Sequence, residues 1–267
     1  MANLVGKDKA MPIKEQHLRV DLRMPEPDSG RLSQDEEWCE VGVDGEWRRL
    51  RFHDYAAIYE VPGLYERLFY EELKCCSPRV IREQVQEQLE RSGREAGDLV
   101  VIDVGAGNGM MGEELAALGA KTLVGVDIIE EAAVAAERDR PEVYEDYLVA
   151  DLTHLDKPDH ERMAKRHFNC LTSVAALGFG DIPPAAFATA YELLQPDALV
   201  AFTIKEDFLS DGDRSGFERL IREMVDHNIL QIQVQRRYRH RLSAQGEPLH
   251  YVAIVARKAG ELGETVS

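Results

Sequence analysis

The stretch "VIDVGAGNGMMGEEL", Val101 to Leu115, constrains this chain more than any other. An apolar run, Leu99 to Val104, ends in glycines and passes into a helical pattern predicted over Glu113 to Leu118. Glycines at such a junction let the chain turn tightly and bring bare backbone close to a ligand. The alternation then repeats. Strands are predicted at Thr122 to Val126, Tyr147 to Ala150, Phe168 to Val174 and Ala198 to Ile204, with helices at Glu130 to Arg138 and Pro184 to Leu194. Phe217, Leu220, Ile221 and Met224 recur at helical spacing, and two last strands, Leu230 to Tyr238 and Leu249 to Arg257, flank a polar turn. Strands separated by helices need crossover connections. The expected fold class is therefore α/β: a doubly wound, mostly parallel, seven-stranded sheet with an antiparallel last strand.

The residues before Asp98 read differently. Residues 1–35 are polar, carry Pro12, Pro25 and Pro27, and are expected to form a flexible arm. Two strands, near 37 to 43 and 46 to 52, flank Asp44-Gly45, a strong hairpin-turn signal. Tyr55, Tyr59, Tyr65, Phe69 and Tyr70 cluster in the next segment, where Leu64, Leu68 and Phe69 suggest a short helix after Pro62-Gly63. Pro78 opens a clearer helix with Ile81, Val85 and Leu89 on one face and a stop near Ser92-Gly93. The organisation expected is an arm (1–35), a cap with a β-hairpin and helices (36–97), and a ligand-binding domain (98–267).

The glycine stretch satisfies two patterns at once. From Gly107 it reads Gly107-Asn108-Gly109-Met110-Met111-Gly112, the spacing of dinucleotide-binding folds; from Asp103 it reads as an acid followed by Gly105, Gly107 and Gly109. Asp127, about 20 residues on, ends the next strand and can accept from ribose hydroxyls in either case. The carboxylate of Asp103 separates the two. Beside a pyrophosphate it would be repelled, whereas S-adenosylmethionine carries a sulfonium and an α-ammonium and no phosphate, so an acid can help hold it. Gly112 then belongs to the packing of the first helical turn.

With Asp103, Asp127 and Asp151 each at a strand end, the chain resembles the class I S-adenosylmethionine-dependent methyltransferases from Asp98 to Arg257. The matching pieces are "VIDVGAGNG", "LVGVD", "VADL" and "FNCLTSVAALGFGDIPPAAFATAYELLQPDALVAFTI". The resemblance implies a Rossmann-like sheet and S-adenosylmethionine as cofactor. It puts Asp103, Gly105, Ala106, Gly107, Asn108 and Gly109 at the methionine and ribose, Asp127 and Ile128 at the ribose, Asp151 and Leu152 at the adenine, and Ser173 at the end of the fourth strand. Tyr55 and Tyr59 are candidates for a cap tyrosine that folds over the cofactor. Two positions depart from the family: Asn169 stands where an acid is usual, and "QPDA", Gln195 to Ala198, replaces Lys-Pro-Gly-Gly.

Composition narrows the partner. A formal net charge of −17 disfavours nucleic acid and anionic membrane surfaces. "GDIPPAAF" resembles the Asp-Pro-Pro-Tyr loop of nucleic-acid amino-methyltransferases, but Ile182 interrupts it and Ala185 stands where a stacking ring is needed. "DGDRSGFERLIRE", from Asp211, starts like a calcium loop but has Arg222 where a bidentate carboxylate is required, and no histidine spacing suggests a metal. The start lacks a signal-peptide core, and no run approaches about 18 apolar residues, so a cytoplasmic location is expected. Cys39, Cys75, Cys76 and Cys170 read as reduced structural thiols.

The acceptor expected is a small molecule methylated on O or N, with a homodimer as an option for assembly. An NAD(P)-dependent oxidoreductase and a non-catalytic S-adenosylmethionine-binding protein are the alternatives. Substrate groups are sought in Phe179 of the "ALGFGD" loop, in Tyr251, and in Arg239 and Arg241 of the basic run "RRYRHR", which could hold a carboxylate or phosphate or simply blunt an outer strand with charge. If the acceptor must lose a proton, His53, His240, His250 and Asp181 are the candidate bases.

Overall fold

A computed structural model describes residues 20–26, 32–43, 45–179, 181–210 and 212–263. Most of the expected arm, the turn residue Asp44 and the calcium-like Asp211 lie outside the described residues.

The N-terminal sheet has three strands, β1 (Asp21–Arg23), β2 (Trp38–Val43) and β3 (Glu46–Arg51), in the order β1-β2-β3 and antiparallel throughout. The β2–β3 hairpin was expected; β1 was not, because three residues are too short to show a period. A helix, Tyr55–Glu60, and a π-helical turn, Glu66–Glu72, follow. Cys39, Val41, Phe52, Ile58, Leu64, Leu68, Phe69 and Leu73 make a separate small core beneath this sheet.

The main sheet holds β4 (Val100–Val104), β5 (Thr122–Asp127), β6 (Asp146–Val149), β7 (Phe168–Ser173), β8 (Leu194–Lys205), β9 (Leu230–Leu242) and β10 (Pro248–Lys258). Their order is β6-β5-β4-β7-β8-β10-β9. The strands from β6 to β8 are parallel, and β10 runs antiparallel to both β8 and β9. The expected α/β architecture is therefore present.

The central strands are apolar on both faces because each face carries helices. On one side, Ile102, Val104, Leu171 and Phe202 pack against Phe187 and Tyr191 of helix Pro184–Glu192 and Phe217, Ile221 and Met224 of helix Phe217–Asp226. On the other, Val101, Leu123 and Val255 pack against Met111 and Leu115 of helix Met110–Leu118 and Val80, Ile81, Val85 and Leu89 of helix Ser77–Ser92. Helix Ser77–Ser92 thus lies on the main sheet. Pro78 opens it and Gly93, left-handed at φ +66°, ends it. Helix Lys157–Ala164 had no readable signal, since Met163 is its single buried residue.

After β6 the chain crosses back to the other side of β4, so the order reverses between β4 and β7. A ligand cleft is expected outside the carboxyl ends of the strands at that point.

Candidate active site

A cavity of about 370 Å³ lies at this reversal. Gly105 and Val104 floor it after β4, and Val126, Asp127, Ile128 and Ile129 line it after β5. Ala150, Asp151 and Leu152 follow β6; Val174, Ala175, Ala176, Asp181, Ile182, Pro183 and Ala186 follow β7. His53, Tyr55, Tyr59 and Tyr65 close it from the cap. Gly105 has φ +70°, and a Cβ there would lie 2.7 Å from both Ala176 Cβ and Ile182 Cδ1, so only glycine keeps this floor open.

The two acids at the next strand ends face the cavity. Asp127 accepts the Gly107 N–H at 2.9 Å and the Ile129 N–H at 3.1 Å, one on each carboxylate oxygen, which leaves lone pairs for hydroxyl donors. Burial pushes its carboxyl above the usual range, opposed by these backbone hydrogen bonds. Asp151 is held below the usual range by the Thr153 hydroxyl, then by the Thr153 N–H and His154. Ile128 is 60% exposed despite being apolar, offering an uncovered face at the cavity wall.

Several expected cofactor residues lie elsewhere. Asp103 does not line the cavity: it is 1% exposed beneath the loop, where Tyr144 and Thr172 hydroxyls donate to its two oxygens, each at 2.6 Å. Burial pushes its carboxyl up to about 6. Gly107 is roofed by Tyr59, whose hydroxyl occupies the place of a Cβ. Ala106 is buried, and Gly109 sits at the start of helix Met110–Leu118. Asn108 donates to Glu66 of the cap at 2.6 Å and to Asp139 at 3.2 Å, so it ties cap to body. Ser173 is buried one residue short of the cavity, which Val174 to Ala176 line instead. Gly112 packs under Tyr144, as its place in the first helical turn suggested.

The loop N–H groups separate the two glycine patterns. Gly105 and Ala106 both donate to Val126 O, at 2.8 and 3.1 Å, Gly107 to Asp127, and Gly109 to Ala106 O at 3.0 Å. These four N–H groups are satisfied within the protein rather than turned to a diphosphate. The described residues lining the cavity include Asp127, Asp151 and Asp181 and no lysine or arginine. This donor set suits a cationic, phosphate-free ligand and opposes a dinucleotide.

The family described as Methyltransferase domain matches residues 76–246. This chain belongs to it. Its cofactor is S-adenosylmethionine and its chemistry is methyl transfer. Similar solved structures include a candidate RNA methyltransferase from Pyrococcus horikoshii (15% identity, covering 69% of this chain and 87% of that one, TM-score 0.50). Others are the magnesium protoporphyrin IX methyltransferase of Synechocystis PCC 6803 with bound S-adenosylmethionine (17%, 68% and 79%, TM-score 0.47) and an S-adenosylmethionine-dependent methyltransferase from Mesorhizobium loti (19%, 64% and 96%, TM-score 0.46). At these identities the likeness is one of fold. Comparison with curated proteins found no match. The alternative of a nicotinamide-dependent oxidoreductase falls with the family.

A second, smaller chamber of about 30 Å³ adjoins the cavity and shares His53, Tyr55, Tyr65, Ala175, Ala176 and Asp181 with it. Phe52, Phe69, Phe179, His240, Arg241 and Tyr251 are among its walls. His53 Nδ1 lies 3.1 Å from Asp181 Oδ2 on the shared side. Of the other base candidates, His240 is engaged with Ser77 Oγ at 2.7 Å and stacked on Tyr251, and burial holds it well below the usual histidine range. His250 lines neither chamber.

Arg239 is exposed and away from both chambers, while Arg241 is buried and paired with Glu37 at 2.6 Å. Arg239 therefore matches the alternative of an outer strand blunted by charge, and Arg241 is already committed to Glu37. Tyr65, Ile129, Ile182 and Gln34 were missed. Only Tyr65 had a signal, its place in the aromatic segment; the others arrive through loops whose paths no local pattern encodes.

Proposed function

We propose that this protein transfers the methyl group of S-adenosylmethionine to an O or N atom of a small molecule held beneath the aromatic cap. The observation carrying this reading is the second chamber: beside the cofactor cavity it is narrow and lined by aromatic rings, where a macromolecular acceptor would need a wide groove. In this reading residues 36–75 are the cap and 76–263 the catalytic body, because helix Ser77–Ser92 packs on the main sheet. Asp127 holds the ribose hydroxyls, Ile128, Asp151 and Leu152 the adenine, and Gly105 lets the methionine end approach the strand. Tyr55, Tyr59 and Tyr65 exclude water.

When bound, the cofactor supplies an activated methyl carbon on sulfur. The protein's own task is then to hold the nucleophile about 3–3.5 Å away, in line, in a dry site. Among the described residues no helix is long and apolar enough to cross a membrane.

Calorimetric titration tests the reading. S-adenosylmethionine and S-adenosylhomocysteine should bind and NADH should not, and Asp127→Ala should weaken binding by about tenfold to a hundredfold through loss of charge-assisted hydrogen bonds. NADH binding in place of S-adenosylmethionine overturns it, as does full affinity in the Asp127 variant.

A further inference from the structure

The geometry points to an uncharged aromatic hydroxyl, of the phenol class, as the methyl acceptor, deprotonated by His53 with Asp181 as its positioning residue. This rests on the proposed small-molecule reading and narrows it to a substrate class.

The wall shared by the two chambers is where an acceptor atom would meet the donor, and its chemistry is a histidine paired with a carboxylate. His53 faces Asp181 through Nδ1, and its ring is further fixed by Tyr55, edge-on with centroids 5.6 Å apart, and by Phe179 at 5.3 Å. With Nδ1–H donated to Asp181, Nε2 carries the lone pair. An acceptor that is already an anion needs no base, so the pair is informative about the substrate: it bears a proton that must leave.

Charge excludes the acids. Arg241 is the only guanidinium among the described residues of the smaller chamber, and it is already neutralised. It is 3% exposed, donates to Glu37 at 2.6 Å and to Leu242 O at 2.8 Å, and Glu37 itself is 2% exposed. Lys205 pairs with Asp207 at 2.8 Å and lines neither chamber. His240, buried and neutral, supplies no charge. A carboxylate or phosphate on the substrate would meet Asp181 with no counter-ion. By contrast, Gln34 Oε1 is buried without a partner, and Gln34 Nε2 donates to Tyr251 Oη at 2.7 Å, which leaves the Tyr251 hydroxyl proton for another acceptor. Such a side-by-side acceptor and donor suits a neutral polar substituent.

Shape supplies the ring. Phe52, Tyr55, Tyr65, Phe69 and Phe179 surround the small chamber, and its roughly 30 Å³ admits only a small substituent. The aromatic body therefore straddles the shared wall. In the transfer, the hydroxyl proton passes to His53 Nε2 and an oxygen lone pair forms the new O–C bond to the methyl carbon. The methyl–sulfur bonding pair remains on sulfur, leaving a neutral thioether and an imidazolium paired with Asp181.

The test uses the full chain saturated with S-adenosylhomocysteine and two probes, 4-nitrophenol and benzoate, with binding followed by equilibrium dialysis and the ionisation of 4-nitrophenol by its absorbance. 4-Nitrophenol should bind and shift toward its phenolate; benzoate should bind at least tenfold more weakly. His53→Gln should abolish the phenolate shift and lower kcat for methylation of 4-nitrophenol by about a hundredfold. Asp181→Asn should lower kcat with KM nearly unchanged, and Asp181→Glu should restore part of it.

Benzoate binding as tightly as 4-nitrophenol overturns the substrate class, and an unchanged spectrum in folded His53→Gln overturns the base. If that variant does not fold, Asp181→Asn with unchanged kcat does the same. Binding of S-adenosylhomocysteine without either probe sinks this inference alone, whereas failure to bind S-adenosylhomocysteine sinks the reading beneath it.

Discussion

Asp103 shows how far one residue type can be read. As an acid beside glycines it argued for a cation-bearing cofactor, and the cofactor is S-adenosylmethionine. Yet its carboxylate points into the body and is held by Tyr144 and Thr172. Since burial raises its folded value to about 6, the native state binds this proton more tightly than the unfolded chain does. Its contribution to stability is complete below about pH 4 and is lost as pH rises through about 6, a change on the order of 3 kcal/mol. Denaturant unfolding at a series of pH values should show that decline, and Asp103→Asn should remove it.

At the scale of elements, β9 and β10 explain how the basic run divides between solvent and core. Their register passes from Arg239 opposite His250 directly to Arg241 opposite Leu249, so His240 is an extra residue on β9. A bulge of this kind breaks the alternation of faces. It turns Arg241 inward onto Glu37 and leaves Arg239 in solvent, so two arginines at strand spacing take opposite environments. Arg239→Ala should change stability by no more than about 0.5 kcal/mol and leave KM unaltered. Arg241→Ala should cost about 3–5 kcal/mol, because Glu37 is left buried and uncompensated; thermal and denaturant unfolding of the two variants would show the contrast.

Across the whole molecule, cap and body are joined by a buried ionic network. Glu66 of the cap accepts from Arg140 at 2.7 Å and from Asn108 at 2.6 Å, while Arg138 binds Asp139 and donates to Tyr59 O at 2.9 Å. The same helix, Glu130–Asp139, packs Ala132 and Ala135 against Tyr59. The ions therefore set where Tyr59 and Tyr65 sit over the cavity. Arg140→Ala should loosen the cap before the sheet: hydrogen exchange should rise over residues 54–73 and stay protected in β4, β7 and β8, and S-adenosylmethionine affinity should fall.

Periodicity was sufficient for the body. Continuous apolar runs alternating with 3.6-residue patterns leave few topologies other than a parallel sheet between helices, and acids at strand ends follow the strands wherever they go. Asp127, Ile128, Asp151 and Leu152 were legible for that reason: each stands just after a readable strand at the sheet's carboxyl edge. The pairing of His53 with Asp181, the burial of Arg241 on Glu37 and the diversion of Asn108 to Glu66 join residues separated by tens to hundreds of positions. Local pattern carries no such information. Those contacts depend on how loops and a bulge are set by packing between cap and sheet, and only the tertiary structure decides that.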